Sequence, residues 1–283
     1  MVMVKVRIKK YGFLKLMNSI AFYILSVLVL LYFLTPHIWL VNAALSPTSK
    51  PYIQFVRPTF ANFVKVFKEH NFMHYFKNSL IISVLSTVIT VFLAIMGGYA
   101  LYRLNIPDVV ILGLWITTFV PLLAYIIPYY IYFASLGLVN TYIGAVIILT
   151  VSSLPYYMWL MKNYFMSFPK ELEEAALIDG CSRLRILFSI VLPLSMPQVG
   201  LIAAMAFNGA WGDFLAPLVL LTKRELMPLS VGIFVESARP WAFYEPWDYR
   251  ILAAFAVLYV IPPILLFVYS HRYLKGLARI GTI

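Results

Sequence analysis

Long apolar runs separated by short polar stretches set the plan of this chain. Hydrophobic segments lie near residues 17–40, 79–102, 110–133, 141–164, 190–221 and 250–273. Continuous runs of about 20 apolar residues are the signature of membrane-spanning helices, whereas a membrane β-barrel reads as ~10-residue segments of alternating polarity. A 24-residue helix is ~36 Å long and crosses a ~30 Å hydrocarbon core with some tilt. The pattern predicts an all-α integral membrane protein with six transmembrane helices. The first run is longer than the roughly 7–15 apolar residues of a signal peptide and is read as a retained span.

Two interruptions carry patterns of their own. In the loop near 41–78, Ser46-Pro47-Thr48-Ser49-Lys50-Pro51 is a turn-rich linker. After it, Phe60, Phe63, Val64 and Phe67 recur at i, i+3, i+4 and i+7, with Lys65, Lys68 and Glu69 between. That spacing predicts an amphipathic helix at the membrane surface. The second interruption, Pro169–Pro193, is the most charged internal stretch. It carries the acids Glu171, Glu173, Glu174 and Asp179 and the bases Lys170, Arg183 and Arg185. Ser167 is a candidate N-cap, and Pro169 is tolerated in a first turn, where its missing N–H is harmless. The glutamates then sit near the positive end of the helix dipole. Leu172, Ala175, Ala176 and Asp179 share a face, Gly180 can end the helix at positive φ, and Ser182 can cap a second short helix. The expected product is a helix–turn–helix bracket displaying small residues and acids. On this pattern alone it is either a docking element or an ordinary amphipathic loop.

Charge supplies orientation. If the N-terminus is inside, the inner segments hold thirteen bases: Lys5, Arg7, Lys9, Lys10, Lys15, Arg103, Lys162, Lys170, Arg183, Arg185, Arg272, Lys275 and Arg279. The outer segments hold nine: Lys50, Arg57, Lys65, Lys68, Lys77, Lys223, Arg224, Arg239 and Arg250. This bias places both termini, and the 169–189 stretch, in the cytoplasm. Composition agrees with a membrane protein: 63% of residues are hydrophobic and 12% charged, against about 25% charged in soluble domains. The net charge of +11 is spread around spans, so it argues for topology and against a nucleic-acid partner. The outer loop near 222–249 mixes Lys223, Arg224, Glu225, Glu236, Arg239, Trp241, Glu245, Trp247 and Asp248. It suits a partner-binding surface or interfacial anchors equally.

Little in the sequence carries chemistry. The single cysteine, Cys181, excludes an internal disulfide and a cysteine-rich metal site. His37, His70, His74 and His271 lack zinc-protease spacing; His70 and His74, four apart, read as a surface helix face before a metal pair. No glycine precedes a lysine, so there is no P-loop. Asp213 is the one acid within an apolar run. A carboxylate in hydrocarbon costs at least ~2.5 kcal/mol, so Asp213 should face protein or a water-filled path. It either contacts substrate or relays protons, or it caps a helix broken around Gly212 and Pro217. Asn208 and Trp211 share a helix face and suit a sugar or interhelical packing. Ala94, Gly97 and Gly98 allow close helix approach. Prolines in five of the six spans favour a bundle that changes shape.

One long gapped pattern is specific. Glu174-Ala175-Ala176, three residues, Gly180, nine residues, Ile190, one residue, Leu192-Pro193 resembles the EAA loop of ABC importer permeases. Asn78-Ser79-Leu80, Tyr99-Ala100, Leu138-Val139-Asn140-Thr141-Tyr142, Pro169–Glu174, Trp211-Gly212-Asp213-Phe214 and Arg272–Leu277 resemble the same family, over about residues 60–280. The likeness is to the six-span subunit of maltose-type sugar permeases. One departure is Gly212, where relatives usually carry Asn.

The resemblance implies a type I ABC importer permease fold. Residues 1–60 would form a basic N-terminus, first span and outer linker. Residues 61–283 would form a permease core of five spans with coupling helices at about 168–189. It implies a second homologous permease subunit, two copies of an ABC ATPase that hold ATP and Mg, and an extracytoplasmic solute-binding protein, all at the cytoplasmic membrane of a prokaryote. The chain itself would be no enzyme and hold no cofactor. Glu173, Glu174, Ala175, Ala176, Asp179, Gly180, Arg183 and Pro193 would form the ATPase-coupling site, with Glu174 pairing with a base on the ATPase. Asn208, Trp211 and Asp213 would be candidates for the substrate path. The loop at about Lys223–Trp247 would reach towards the binding protein, and the tail after Arg272 towards the ATPase. The cargo would be a sugar or oligosaccharide. The alternatives are a non-sugar solute such as a glycerol phosphate derivative, an ion-coupled secondary transporter using Asp213, or a polytopic membrane enzyme.

Overall fold

The apolar runs become helices, and the computed structural model describes residues 2–50, 52–116, 122–237 and 248–280. In chain order the helices are α1 (Val2–Leu45), α2 (Ala61–Lys68), α3 (Phe72–Arg103), α4 (Asp108–Ile116), α5 (Leu122–Ser135), α6 (Tyr142–Phe165), α7 (Lys170–Ile178), α8 (Arg183–Ile186), α9 (Leu192–Leu194), α10 (Met196–Gly212), α11 (Leu215–Leu220), α12 (Leu229–Ser237) and α13 (Tyr249–Ile280). There are no strands among the described residues.

Four helices are long and apolar enough to cross a membrane: α3, α6 and the stretches Ser19–Leu45 and Tyr249–Ser270 of α1 and α13. The run expected at 190–221 differs from a single straight span. The helix from Arg183 to Leu194 meets α10 at 81°, so the pair counts as a fifth span only if it is one broken element. Pro193 and Pro197 flank the bend at Ser195, and each lacks an N–H. The run then breaks again: Asp213 takes an extended conformation after α10, and α11 restarts two residues later. The expected span 110–133 is not among these: α4 and α5 cover parts of it with 9 and 14 residues, each too short to cross alone, and Pro121 lies outside the described residues.

Close packing of α3 on α6 makes the spine. A Cβ at Gly98 would fall 2.6 Å from Met161 Cβ and 3.0 Å from the Met158 carbonyl oxygen, so this crossing needs a glycine. Around it lies a buried cluster of Ala94, Tyr99, Met161, Phe165, Ala176, Ile186, Leu187 and Ile202. A second cluster, with Ala43, Ala44, Tyr75, Trp211 and Phe255, binds α1, α3, α10 and α13. A third joins Ile82, Phe133, Ile148, Ala216 and Leu220.

Much of α1 covers nothing in this chain: Tyr23, Leu28, Tyr32 and Phe33 are all exposed. Such a helix suits hydrocarbon, provided its polar atoms are satisfied internally. In the exposed stretch Ser26 and Thr35 donate to the Phe22 and Leu31 carbonyls at 2.8 Å, and His37 Nδ1 lies 3.0 Å from the Phe33 carbonyl. Similarly, α2 forms where its periodicity places it, but Phe60, Val64 and Phe67 face outward. Its inward face is Asn62 and Val66, and Asn62 Nδ2 donates to the Ala44 and Ser46 carbonyls, both at 2.8 Å.

Candidate functional site

The Pro169–Pro193 stretch folds as a bracket. Pro169 is the N-cap of α7, with no side-chain capping bond. Ser167, expected in that role, instead donates to the Tyr164 carbonyl at 2.6 Å and closes the end of α6. Gly180 has φ of 78° and reverses the chain, a conformation costly for residues with a Cβ. Ser182 Oγ accepts from Arg185 N at 3.4 Å and starts α8. From there the chain runs through a π-helical turn at Leu187–Val191 into α9 and the 81° bend to α10.

Residues expected to act together on this bracket divide into two environments. Glu174, Ala175, Asp179, Gly180, Arg183 and Pro193 are exposed. Around them Leu172, Leu177, Leu184 and Phe188 are also exposed, and Ile178 is 87% exposed. Ala176 faces inward, into the cluster with Phe165 and Ile186. Glu173 is 2% exposed. Its carboxylate forms an ion pair with Arg103, in the last turn of α3. It also accepts from Tyr99 Oη at 3.1 Å, and Arg103 Nε reaches the same hydroxyl at 3.4 Å. The Arg103 guanidinium lies 5.8 and 5.5 Å from the Tyr99 and Tyr102 ring centres, within cation–π range. Glu173 therefore ties α7 to the end of α3. Beside it, Lys162 of α6 is buried, donating to the Ile106 carbonyl at 2.5 Å and pairing with Asp108 of α4 at 2.6 Å. Two bases counted as loop charges thus clamp span ends together. Tyr99 and Arg103 are one turn apart, a signal readable in sequence, but their partner lies some 70 residues on and no local pattern names it.

The second set of expected residues is not brought together. Trp211 is 2% exposed. It stacks on Phe207 at 5.6 Å, and its indole N–H donates to the Tyr259 carbonyl at 3.1 Å. Tyr259 Oη returns a bond to the Trp211 carbonyl at 2.8 Å, so this side chain packs α10 on α13. Asn208 is exposed on α10. Asp213 caps α11, accepting from Ala216 N at 3.0 Å, while its carbonyl accepts from Ser230 Oγ at 2.8 Å. It also lines a cavity of about 280 Å³ between α3, α5, α6 and α10.

At the opposite end of the bundle, Glu236 of α12 gathers His70 Nδ1 at 3.0 Å, Tyr75 Oη at 2.8 Å and an ion pair with Arg224. Burial alone would raise the Glu236 pKa. The bonds from His70, Tyr75 and Arg224 outweigh it and hold the carboxyl below its ordinary value. His74 Nε2 lies 2.6 Å from the Glu225 carbonyl, and Asn78 donates to the Glu225 and Met227 carbonyls at 2.9 Å. Both histidines thus serve this polar network. Arg239, Trp241, Glu245 and Trp247 lie outside the described residues.

Comparison with known proteins gives this geometry a context. The family profile described as "Binding-protein-dependent transport system inner membrane component" matches residues 11–279. The chain is 33% identical to the sulfoquinovosyl glycerol transport system permease protein SmoH of Agrobacterium fabrum, covering 88% of each chain. It is 30% identical to the trehalose/maltose transport system permease protein MalG of Thermococcus litoralis, covering 91% of this chain and 94% of that one. In fold it matches a chain of a bacterial ABC transporter involved in the import of the acidic polysaccharide alginate, with a TM-score of 0.77 and 23% identity over 91% and 96% of the two chains.

Proposed function

This chain belongs to the family of binding-protein-dependent transport system inner membrane components, and on that premise we propose that it is a permease subunit of an ATP-driven ABC importer for a sugar or oligosaccharide. The relatives are named for sugar and sugar-derivative transport, and a related alginate transporter is described in complex with a loaded periplasmic protein. Here the chain spans the cytoplasmic membrane of a prokaryote six times with both termini inside, counting α4–α5 and the bent α8–α10 path as one span each. It pairs with a second permease subunit, receives its cargo from an extracytoplasmic binding protein and rests on two ABC ATPase subunits. ATP and Mg are held by those subunits, and this chain hydrolyses nothing.

The observation that carries the mechanism is the division of the α7–α8 bracket. Glu174, Ala175, Asp179 and Arg183, with the apolar Ile178 and Leu184, face away from the bundle and form the ATPase-docking surface. Glu173 faces inward and joins that surface to α3 through Arg103 and Tyr99. Gly180 keeps the turn between α7 and α8 tight, and α8 continues towards α10 through the 81° bend. Closure of the ATPases pulls on the exposed face. The buried pair and the helical connection pass the displacement to α3 and α10, swinging the spans between inward- and outward-facing states. Asp213 acts as the cap that holds α11 to α10, and its carboxylate borders the transport path.

The test is co-purification with the ATPase together with uptake. Glu174→Lys reverses the charge of an exposed docking residue, so the chain should insert normally while ATPase recovery falls and uptake stops. Wild-type recovery and transport in this variant would remove the docking role.

A further inference from the structure

Midway along α3 and α6, the cavity beside Asp213 is lined by hydroxyls: Ser86, Thr90, Ser152, Ser153, Tyr125 and Tyr157. Hydroxyls in apolar helices normally bond the carbonyl one turn back. Ser152 and Ser153 do so, donating to the Ile148 and Leu149 carbonyls at 2.7 and 2.9 Å. Their oxygens keep accepting capacity towards the cavity. Ser86 does not: it is 2% exposed, and its hydroxyl has no bonding partner. The cavity wall thus offers acceptors from Ser152 and Ser153, with the unpartnered Ser86 hydroxyl buried behind its surface, at a depth where an unmatched polar group is costly.

A second, more open groove of about 500 Å³ adjoins this cavity and shares Tyr125 and Ile148 with it. Its wall carries Tyr125, Tyr129 and Tyr132, spaced i, i+4 and i+7 on one face of α5. The Tyr125 and Tyr129 rings lie 5.2 Å apart, and Tyr129 stacks on Phe133 at 6.0 Å. A row of aromatic faces with hydroxyl tips offers a stacking surface and polar ends together. Carbohydrate has the matching chemistry, with apolar ring faces and hydroxyls that both donate and accept.

We infer that Tyr125, Tyr129 and Tyr132 form a sugar-contacting lane on this subunit, ending at Ser152, Ser153 and Tyr157 in the mid-bundle cavity. The inference rests on the sugar-permease reading above and adds the residues of this chain that meet the cargo. It moves the expected contact away from Trp211, which is only 2% exposed and lines neither the cavity nor the groove.

The native chain has one cysteine, so Cys181→Ser gives a background for single labels. Cells carrying the intact transporter are first assayed for uptake of radiolabelled maltotriose and trehalose, and the transported sugar becomes the probe. A membrane-impermeant thiol reagent should modify Tyr129→Cys and Ser152→Cys, and the probe should slow both reactions. It should leave Ile127→Cys, on the opposite face of α5, untouched with or without probe. In parallel, Tyr129→Phe should keep KM near wild type, while Tyr129→Ala should raise it about threefold to tenfold, the effect of one lost aromatic contact. Unreactive cysteines at 129 and 152, or reaction rates indifferent to the probe, would overturn the lane while leaving the permease reading intact. Absence of sugar uptake by the wild type would instead remove that reading and the lane with it.

Discussion

Glu173 and Glu174 are neighbours in sequence, yet one is buried against Arg103 and the other faces outward. Their substitutions should therefore fail differently. Breaking a buried ion pair by removing one partner costs about 3–5 kcal/mol, because the remaining charge is left uncompensated. Glu173→Gln and Arg103→Ala should each lower the melting temperature of the detergent-solubilised protein, and the swap Glu173→Arg with Arg103→Glu should recover part of that loss. If both single variants melt like wild type, the tie between α7 and α3 is not structural. Acid should act on a different set of groups. Glu236 and Asp248 have carboxyl pKa values held below their ordinary range, by His70, Tyr75 and Arg224 in one case and by Arg250 in the other, each overcoming an opposing effect of burial. A carboxyl with a depressed folded-state pKa contributes stability that is present above its unfolded pKa and lost as pH falls through the folded value. Thermal stability should accordingly be flat near neutrality and drop only below the ordinary carboxylate range, and Glu236→Gln should flatten that drop. An equally steep acid transition in Glu236→Gln would assign it to other groups.

The helical elements were legible where a local pattern carries them. Four spans, in α1, α3, α6 and α13, came from length and apolarity, α2 from its i, i+3, i+4 and i+7 aromatics, and the bracket from Pro169, Gly180 and Ser182. The 81° bend at Ser195 was less legible: prolines recur in several spans, and Pro36 lies within the continuous α1. What distinguishes Ser195 is its position between Pro193 and Pro197, at the join of bracket and span. The two-sidedness of α7 was hidden for another reason. Its alternation of acids and alanines specifies two faces, but which face is buried depends on Arg103 and Phe165 from helices distant in sequence. The hydroxyl-lined cavity was illegible too, because it is assembled from α3, α5, α6 and α10. Only a close helix approach at Gly98 was visible, without its partner α6. Gly98→Ala would place its Cβ 2.6 Å from Met161 Cβ and 3.0 Å from the Met158 carbonyl oxygen. Overpacking of this kind typically costs about 1–3 kcal/mol. It should therefore lower the melting temperature, and an unchanged temperature would mean that the two helices separate freely.

At the scale of the molecule, three buried clusters stack along the bundle while α1 and the outer faces of α3 and α13 remain apolar and uncovered. Such surface suits hydrocarbon, and in the proposed assembly part of it would meet the second permease subunit. Two features mark the two ends: the exposed bracket, which we assign to the ATPase, and the Glu236 network, which holds α12 to the start of α3. Between them lies the polar cavity. The account requires energy to enter at the bracket and cargo to move past Asp213 and the hydroxyls. The measurement that tests this most directly is uptake of a labelled oligosaccharide into vesicles bearing the whole transporter, with ATP supply and proton gradient controlled separately. Uptake that needs ATP hydrolysis, persists when the gradient is collapsed and disappears in Glu174→Lys is the predicted result. Uptake that survives without ATP hydrolysis and collapses with the gradient would contradict the account and return Asp213 to a proton-coupling role.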